Sequence, residues 1–326
     1  MSVQVLRPGL LTTVQDAGRP GHAALGIGRA GAMDGPAWQL ANALVGNVGN
    51  EATLEITLRG PILRFDRAVL VALTGAPIEA RSGEFRVPPW TAVHLPAGSV
   101  LELRGMRAGC RSYLAVRGGF SLPAVLGSRS EDLHARLGPL GGRALIAGDV
   151  LPLGDSPHGT LATDCPRARS WGLDPQPWFD FAMRPISLLP GSHASHLTDT
   201  ARERLYSPGL CLGAASNRTG ARLDAVTLEL RAPLELVSEA VLPGTVQLPP
   251  SGRPIVLLAE APVTGGYPRI GQVAAVDLPR LAQRRPGDPV RFAPITLDEA
   301  LGRVHQRDCE LRRLVQRVLQ RGQSDG

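Results

Sequence analysis

The stretch Val263-Thr264-Gly265-Gly266-Tyr267-Pro268-Arg269 gathers a hydroxyl, a phenol and a guanidinium around two consecutive glycines. A Gly-Gly pair permits positive φ or a close backbone approach. It follows an apolar strand, Ile255 to Leu258, inside the longer run GTVQLPPSGRPIVLL. Polar groups at the end of a core strand suit the capture of a small polar ligand. The same residues also read as a hairpin turn with a satisfied tyrosine. A second cluster, Ser216-Asn217-Arg218-Thr219-Gly220-Ala221-Arg222-Leu223, offers two guanidiniums able to grip a carboxylate or phosphate bidentately. Its alternative is a loop tied to its own backbone. Gln247 lies between Val246 and Leu248, a polar residue on a strand that either serves a ligand or faces solvent.

A third cluster lies near the N-terminus, where Gln15, Asp16 and Arg19 stand in the Gly-rich run TTVQDAGRPG. Gln15 can donate and accept, and Asp16 with Arg19 is expected to form a local ion pair. Such groups suit an amide or a carboxylate, and they equally suit an Asx-type turn. His22 follows without a visible partner, and Asp34 reads as a helix cap rather than an open anion site. No HExxH or GxSxG run is present, so zinc-protease and serine-hydrolase chemistry has no support in the sequence.

The elements that must position these residues are mostly strands. Gly 38 and Pro 29 together make about a fifth of 326 residues, above ordinary usage. Short apolar runs between turn signals predict a mainly β chain of closed or nearly closed barrels. Three stretches recur in the same order. LRGPI at 58 matches LRAPL at 230, VLVALTGAP at 69 matches IVLLAEAP at 255, and PAGSVL at 96 matches PGDPVR at 286. They suggest two related β domains, 1–178 and 179–326, with a linker in 154–183. Two helices interrupt the pattern. One runs from the cap Asp34 to Asn42, with Pro36 in its first turn and Gly46 past its end. The other starts at the capping box Thr296–Glu299 and carries Leu301, Val304, Leu311, Leu314, Val315 and Val318 on one stripe, interrupted by Asp308.

Net charge is +6 and there is no lysine, so all 35 basic residues are arginine. That excludes a P-loop lysine, a Schiff-base lysine and biotin attached to this chain. No aromatic residue interleaves the basic run Arg307–Arg321, so no nucleic-acid partner is expected. The four cysteines form no CxxC pair and read as reduced thiols, not a metal site. With no apolar run near 18 residues and no signal-like N-terminus, the expectation is a cytoplasmic protein with no membrane partner.

The ordered stretches TTVQDAGRPG, GAMDGPAWQLANALVGN, TLRGP, YLAVRGGF, VLGSRS, SNRTGARL, GTVQLPPSGRPIVLL, TGGYPRIG and LAQRRPGDPVRF closely resemble the biotin-dependent carboxyltransferase family that contains the C-type subunit of 5-oxoprolinase. An older label for this family is allophanate hydrolase subunit 2. The resemblance spans roughly residues 3 to 294, and the family is similar to half of the carboxyltransferase region of urea carboxylase. It implies two cyclophilin-like β-barrels with a few short helices and a C-terminal helix. It also implies a small amide or lactam substrate and a site completed by partner subunits. The first function implied is that of the C-type subunit in a hetero-oligomeric, ATP-dependent 5-oxoprolinase, inactive without a B-type (kinase-inhibitor-like) and a lactam-opening A-type subunit. A second is a carboxyltransferase component for urea or a related amide, using carboxybiotin on another chain. A third is a regulator that antagonises a kinase inhibitor by binding the B-type subunit.

On the matching motifs, Tyr267, Thr264 and Arg269 carry the expected catalytic roles. Asp16, Arg19, Asn217, Arg218, Arg222, Gln247, Gly265 and Gly266 carry substrate binding. The chain departs from the family pattern near this site. Family members read close to ADRQTTGGYPK, where this chain has Glu260, Ala261, Pro262 and Arg269, and SNRMGYRL, where this chain has Ala221.

Overall fold

The computed structural model describes residues 1–155, 164–180 and 182–324. Its strands and few helices confirm a mainly β chain. Contacts group the chain into two units, one of Met1–Arg19, Asp34–Phe181 and Glu310–Gly326, the other of Pro20–Met33 and Ala182–Cys309. This grouping is discontinuous where the division read from the sequence was continuous.

In the first unit two six-stranded antiparallel sheets share one core. One runs Val150–Pro152, Ser2–Arg7, Ile62–Phe65, Val100–Met106, Ile78–Ser82, Phe85–Arg86. The other runs Arg167–Gly172, Thr91–Leu95, Val69–Gly75, Arg111–Val116, Thr53–Thr57, Leu11–Gln15. Alternation aims one face inward: Val3, Val5, Leu63, Phe65, Leu101 and Leu103 meet Val14, Leu54, Ile56, Val71 and Leu73. Each such side chain contributes roughly 1.5–3 kcal/mol by leaving water. Strand Val69–Gly75 is buried along its whole length because the helix Gly35–Val45 covers its second face, where Thr74 Oγ1 donates to the Ala37 carbonyl at 2.7 Å. That helix is capped as expected. Asp34 Oδ1 accepts from Ala37 N at 3.1 Å, and Gly46 ends it at φ 85.

The second unit is built on a seven-stranded sheet in the order Cys211–Leu212, Gly220–Asp224, Ile255–Leu257, Thr245–Gln247, Arg269–Val273, Ile186–Pro190, Phe292–Pro294. Only its last pair is parallel. Leu188, Leu223, Val246, Val256, Ile270 and Phe292 form its core. A separate two-stranded ladder joins Glu239–Ala240 to Thr264–Gly265. Of the sequence repeats, the apolar pair is realised as an inner strand in each unit, Val69–Gly75 and Ile255–Leu257. The first pair is not: 62–65 is a strand, whereas Leu230 makes only an isolated bridge to Leu197.

The stretch expected as linker falls partly outside the described residues, at 156–163 and 181. Its described part is more ordered than expected, because Arg167–Gly172 is a strand paired with Thr91–Leu95 and Phe179 is buried in the core. The C-terminal helix spans Leu297–Ser324 and starts at the expected capping box. Thr296 N donates to Glu299 Oε2 at 3.0 Å, and Glu299 N donates to Thr296 Oγ1 at 3.3 Å. Its apolar stripe is shorter than expected, since Leu301 is 58% exposed while Leu311 and Val318 are buried.

Candidate functional site

Sheet register assembles the centre of the second unit. Arg222 pairs with Ile255, Ile255 with Gln247, and Gln247 with Arg269. Directly opposed residues on neighbouring strands point to the same face. Three of the polar residues singled out in the sequence therefore share one row. Gly220–Asp224 and Arg269–Val273 are far apart in sequence, and only strand pairing brings them to that row.

The loop from Thr264 to Pro268 crosses this face. Gly265 and Gly266 are not at positive φ, so the glycine pair does not serve a left-handed turn. Its use is close approach: a Cβ on Gly265 would lie 2.4 Å from Gln247 Nε2. That nitrogen is buried and has no hydrogen-bond partner among the described residues. Gln247 thus faces inward beneath the loop rather than solvent. Beyond Gly266, Tyr267 is 46% exposed, and its hydroxyl makes no hydrogen bond among the described residues.

Tyr267 borders two cavities. One, of about 790 Å³, is lined by Arg222, Asp224, Thr227, Ser251 and Arg253 beside Tyr267. The other, of about 530 Å³, is lined by Leu228, Glu229, Leu234, Leu248 and Pro268 beside Gly266 and Tyr267. Arg253 lies 3.5 Å from the Asp224 carboxylate, and both are solvent-exposed. The Arg222 side chain forms no ion pair among the described residues, which leaves its fork open to an anionic ligand. Asp224, Thr227, Ser251 and Arg253 were not singled out from the sequence. Ser251 and Arg253 stand in the run PPSGRP, where turn chemistry alone accounts for them.

The remaining expected residues have structural partners. Arg269 pairs with the Glu239 carboxylate and donates to the Ala240 carbonyl at 3.3 Å, tying the two-stranded ladder to the main sheet. Its backbone N–H donates to His193 Nδ1 at 3.2 Å. Burial, and then the Arg269 charge, lowers the His193 imidazole below its ordinary range, which keeps that nitrogen an acceptor. Thr264 is exposed and pairs with Ala240 in the ladder. Asn217 Oδ1 accepts from Thr219 N at 2.9 Å and Gly220 N at 3.1 Å, so it organises its own turn. Arg218 is 2% exposed, bonded to Glu260 at 2.5 Å and to the Gly31 carbonyl at 2.7 Å. Glu260, one of the departures noted in the sequence, is the buried counter-ion of Arg218.

Asp16 and Arg19 belong to the first unit, whereas Tyr267 and its neighbours belong to the second. The expected ion pair between Asp16 and Arg19 is not formed. Asp16 is fully buried, and its carboxylate accepts from Gly18 N at 2.8 Å, Ser128 Oγ at 2.5 Å, Ser130 Oγ at 2.6 Å and Arg129 N at 2.7 Å. With Asn50 Nδ2 at 3.4 Å, five donors satisfy the carboxylate, and the contact to Gly18 is the Asx-type turn. Arg19 turns to the carbonyls of Val125 and Ser130 instead. Among the described residues no group of three or more acidic, histidine or cysteine side chains could hold a metal ion. No described helix is long and apolar enough to cross a membrane.

Comparison with known proteins agrees with this architecture. The family described as the carboxyltransferase domain, subdomains A and B, matches residues 25–294. The chain is 40% identical to the C-type subunit of 5-oxoprolinase from Escherichia coli (strain K12) over 301 residues, 92% of this chain and 93% of that protein. It is 27% identical to urea amidolyase of Saccharomyces cerevisiae (strain ATCC 204508 / S288c), covering 96% of this chain but 18% of that protein. Among solved structures, Kluyveromyces lactis urea carboxylase superposes with a TM-score of 0.86 at 26% identity, over 95% of this chain and 29% of that one. The chain therefore spans less than a third of the urea carboxylase it superposes on. Matched over most of its length by the family and over nearly all of it by the bacterial relative, the chain belongs to the carboxyltransferase domain family, subdomains A and B.

Proposed function

We propose that this chain is the C-type subunit of an ATP-dependent 5-oxoprolinase, binding and orienting 5-oxoproline for ring opening to glutamate in a complex with B-type and A-type subunits. The carrying observation is the end-to-end match to the Escherichia coli protein, 93% of whose length is covered. The urea amidolyase match covers 18% of a much larger protein.

The cavity beside Tyr267 suits the substrate's two polar ends. The Arg222 fork meets the ring carboxylate, and the Tyr267 hydroxyl donates to the lactam oxygen as charge gathers there. Arg269 and Thr264 act by holding the ladder that ends at Gly265, two residues before Tyr267. Arg218 and Glu260 tie the start of strand Gly220–Asp224 to the end of strand Ile255–Leu257. ATP is the co-substrate of the assembled complex, where it supplies the phosphoryl group that makes the lactam oxygen a leaving group. None of this chain's residues is assigned to hold it. Biotin is covalently carried on lysine, of which this sequence has none, so the carboxyltransferase alternative requires a carrier on another chain.

The test is reconstitution. The chain is combined with B-type and A-type partners, and ATP-dependent glutamate formation from 5-oxoproline is assayed with each component omitted in turn. Activity that requires this chain supports the proposal. A well-formed complex with no such activity refutes it, and turnover of urea with a carboxybiotin carrier would move the assignment to a carboxyltransferase. Binding to the B-type partner alone, with no turnover, would favour the regulatory role.

A further inference from the structure

We infer that the edge strand Arg167–Gly172 of the first unit, with Arg117, Arg321 and His94, forms a binding site for a phosphate-class anion. Arg167 pairs with His94, His94 with Leu70, and Arg117 N bonds to the Leu70 carbonyl at 2.9 Å. Arg167, His94, Leu70 and Arg117 therefore form one row across neighbouring strands. Beyond Ala168 the register of the edge strand shifts, and Arg169 and Trp171 lie in this irregular stretch before pairing resumes at Gly172.

The C-terminal helix completes the cluster. The Arg169 guanidinium lies 5.5 Å from the Trp171 ring centroid and that of Arg321 lies 5.0 Å from it. Arg169 Nη2 also donates to the Gly322 carbonyl at 3.3 Å. Arg117 is oriented from the other side, its Nε donating to the Val45 carbonyl at 2.8 Å at the end of the first helix. Cation–π stacking and carbonyl contacts thus hold several guanidiniums in place, although their like charges repel.

His94 provides an independent sign. It is 8% exposed, and its Nδ1 is buried with no hydrogen-bond partner among the described residues. Burial, then the charges of Arg169, Arg117 and Arg167, lower its pKa to about 4, so the ring is neutral at pH 7. Arg117 is likewise lowered by burial and by Arg169. A concentration of fixed positive charge, partly shielded from water, around an unpartnered imidazole is complementary to a compact oxyanion. Guanidinium forks match the oxygens of phosphate, and Nδ1 can accept from a P–OH group. Arg117 and Arg169 are half-buried and His94 is recessed, which favours a compact anion over an extended acidic peptide.

Calorimetric titration of the full chain with inorganic phosphate and with tripolyphosphate, at fixed ionic strength in chloride, tests the inference. Imidazole NMR of His94 is followed in parallel. Saturable binding is expected, with the His94 pKa rising as the anion is bound. Arg167→Gln and Arg169→Gln should each weaken binding by about tenfold or more. Arg167 is exposed on an edge strand, so its variant keeps the test valid if Arg169→Gln folds poorly. Comparable affinity for both anions identifies free phosphate as sufficient, and much tighter tripolyphosphate binding identifies a polyphosphate tail. No binding of either anion, affinity unchanged in Arg167→Gln, or binding only of a polyglutamate peptide would overturn it.

Discussion

Gln247 places its amide nitrogen against the bare face of Gly265, where a Cβ would stand 2.4 Å away. The contact couples the inner strand Thr245–Gln247 to the loop that presents Tyr267. Gly265→Ala is expected to displace the buried amide and cost about 1–3 kcal/mol. In a Gln247→Ala background the same change should be nearly neutral. Urea unfolding of the four proteins of this cycle checks it, and additive costs would show that the contact is not what requires glycine.

Arg218 and Glu260 form the most enclosed ion pair of the second unit, each side chain 2% exposed at 2.5 Å. Arg218→Met strands a buried carboxylate and should cost about 3–5 kcal/mol. Replacing both, Arg218→Met with Glu260→Leu, should recover a large part of that loss. Denaturant midpoints of the single and double variants decide it. A double variant as unstable as the single one would place the cost in the Gly31 contact instead.

His94 makes stability depend on pH. Its pKa of about 4 in the folded chain lies below the ordinary 6.5. Between these values the unfolded chain binds more protons, so stability rises with pH from about 4 to 6.5 and falls as pH drops through that window. The loss between pH 6.5 and 4.5 should be on the order of 2–3 kcal/mol. His94→Gln should flatten this part of the profile, measured by urea unfolding at stepped pH.

Within the proposed complex, Tyr267 and Arg222 should separate kinetically. Tyr267→Phe is expected to lower kcat by about tenfold to a hundredfold with an unchanged unfolding midpoint, because the hydroxyl has no partner among the described residues. Arg222→Gln should chiefly raise KM for 5-oxoproline, by roughly tenfold or more. Initial-rate kinetics of the reconstituted complex distinguish the two. Unchanged kinetics in Tyr267→Phe would remove the phenol from the site.

The sequence alone determined the features whose physics is local. Asp34, Pro36 and Gly46 bounded the first helix, and Thr296 with Glu299 opened the last, because caps satisfy backbone groups within a few residues. Turn spacing and alternation determined a mainly β chain, and the absence of lysine determined which covalent cofactors it lacks. Tertiary structure decided which polar residues are available. Asp16 and Arg19 are three residues apart, yet strand-distant Ser128 and Ser130 take the carboxylate. Arg218 and Arg222 are four apart on one stretch, yet one is buried on Glu260 and the other opens to a cavity. Arg222, Gln247 and Arg269 come together through hydrogen bonds between strands, which set register by the burial of whole faces, a choice that no one strand's residues make alone.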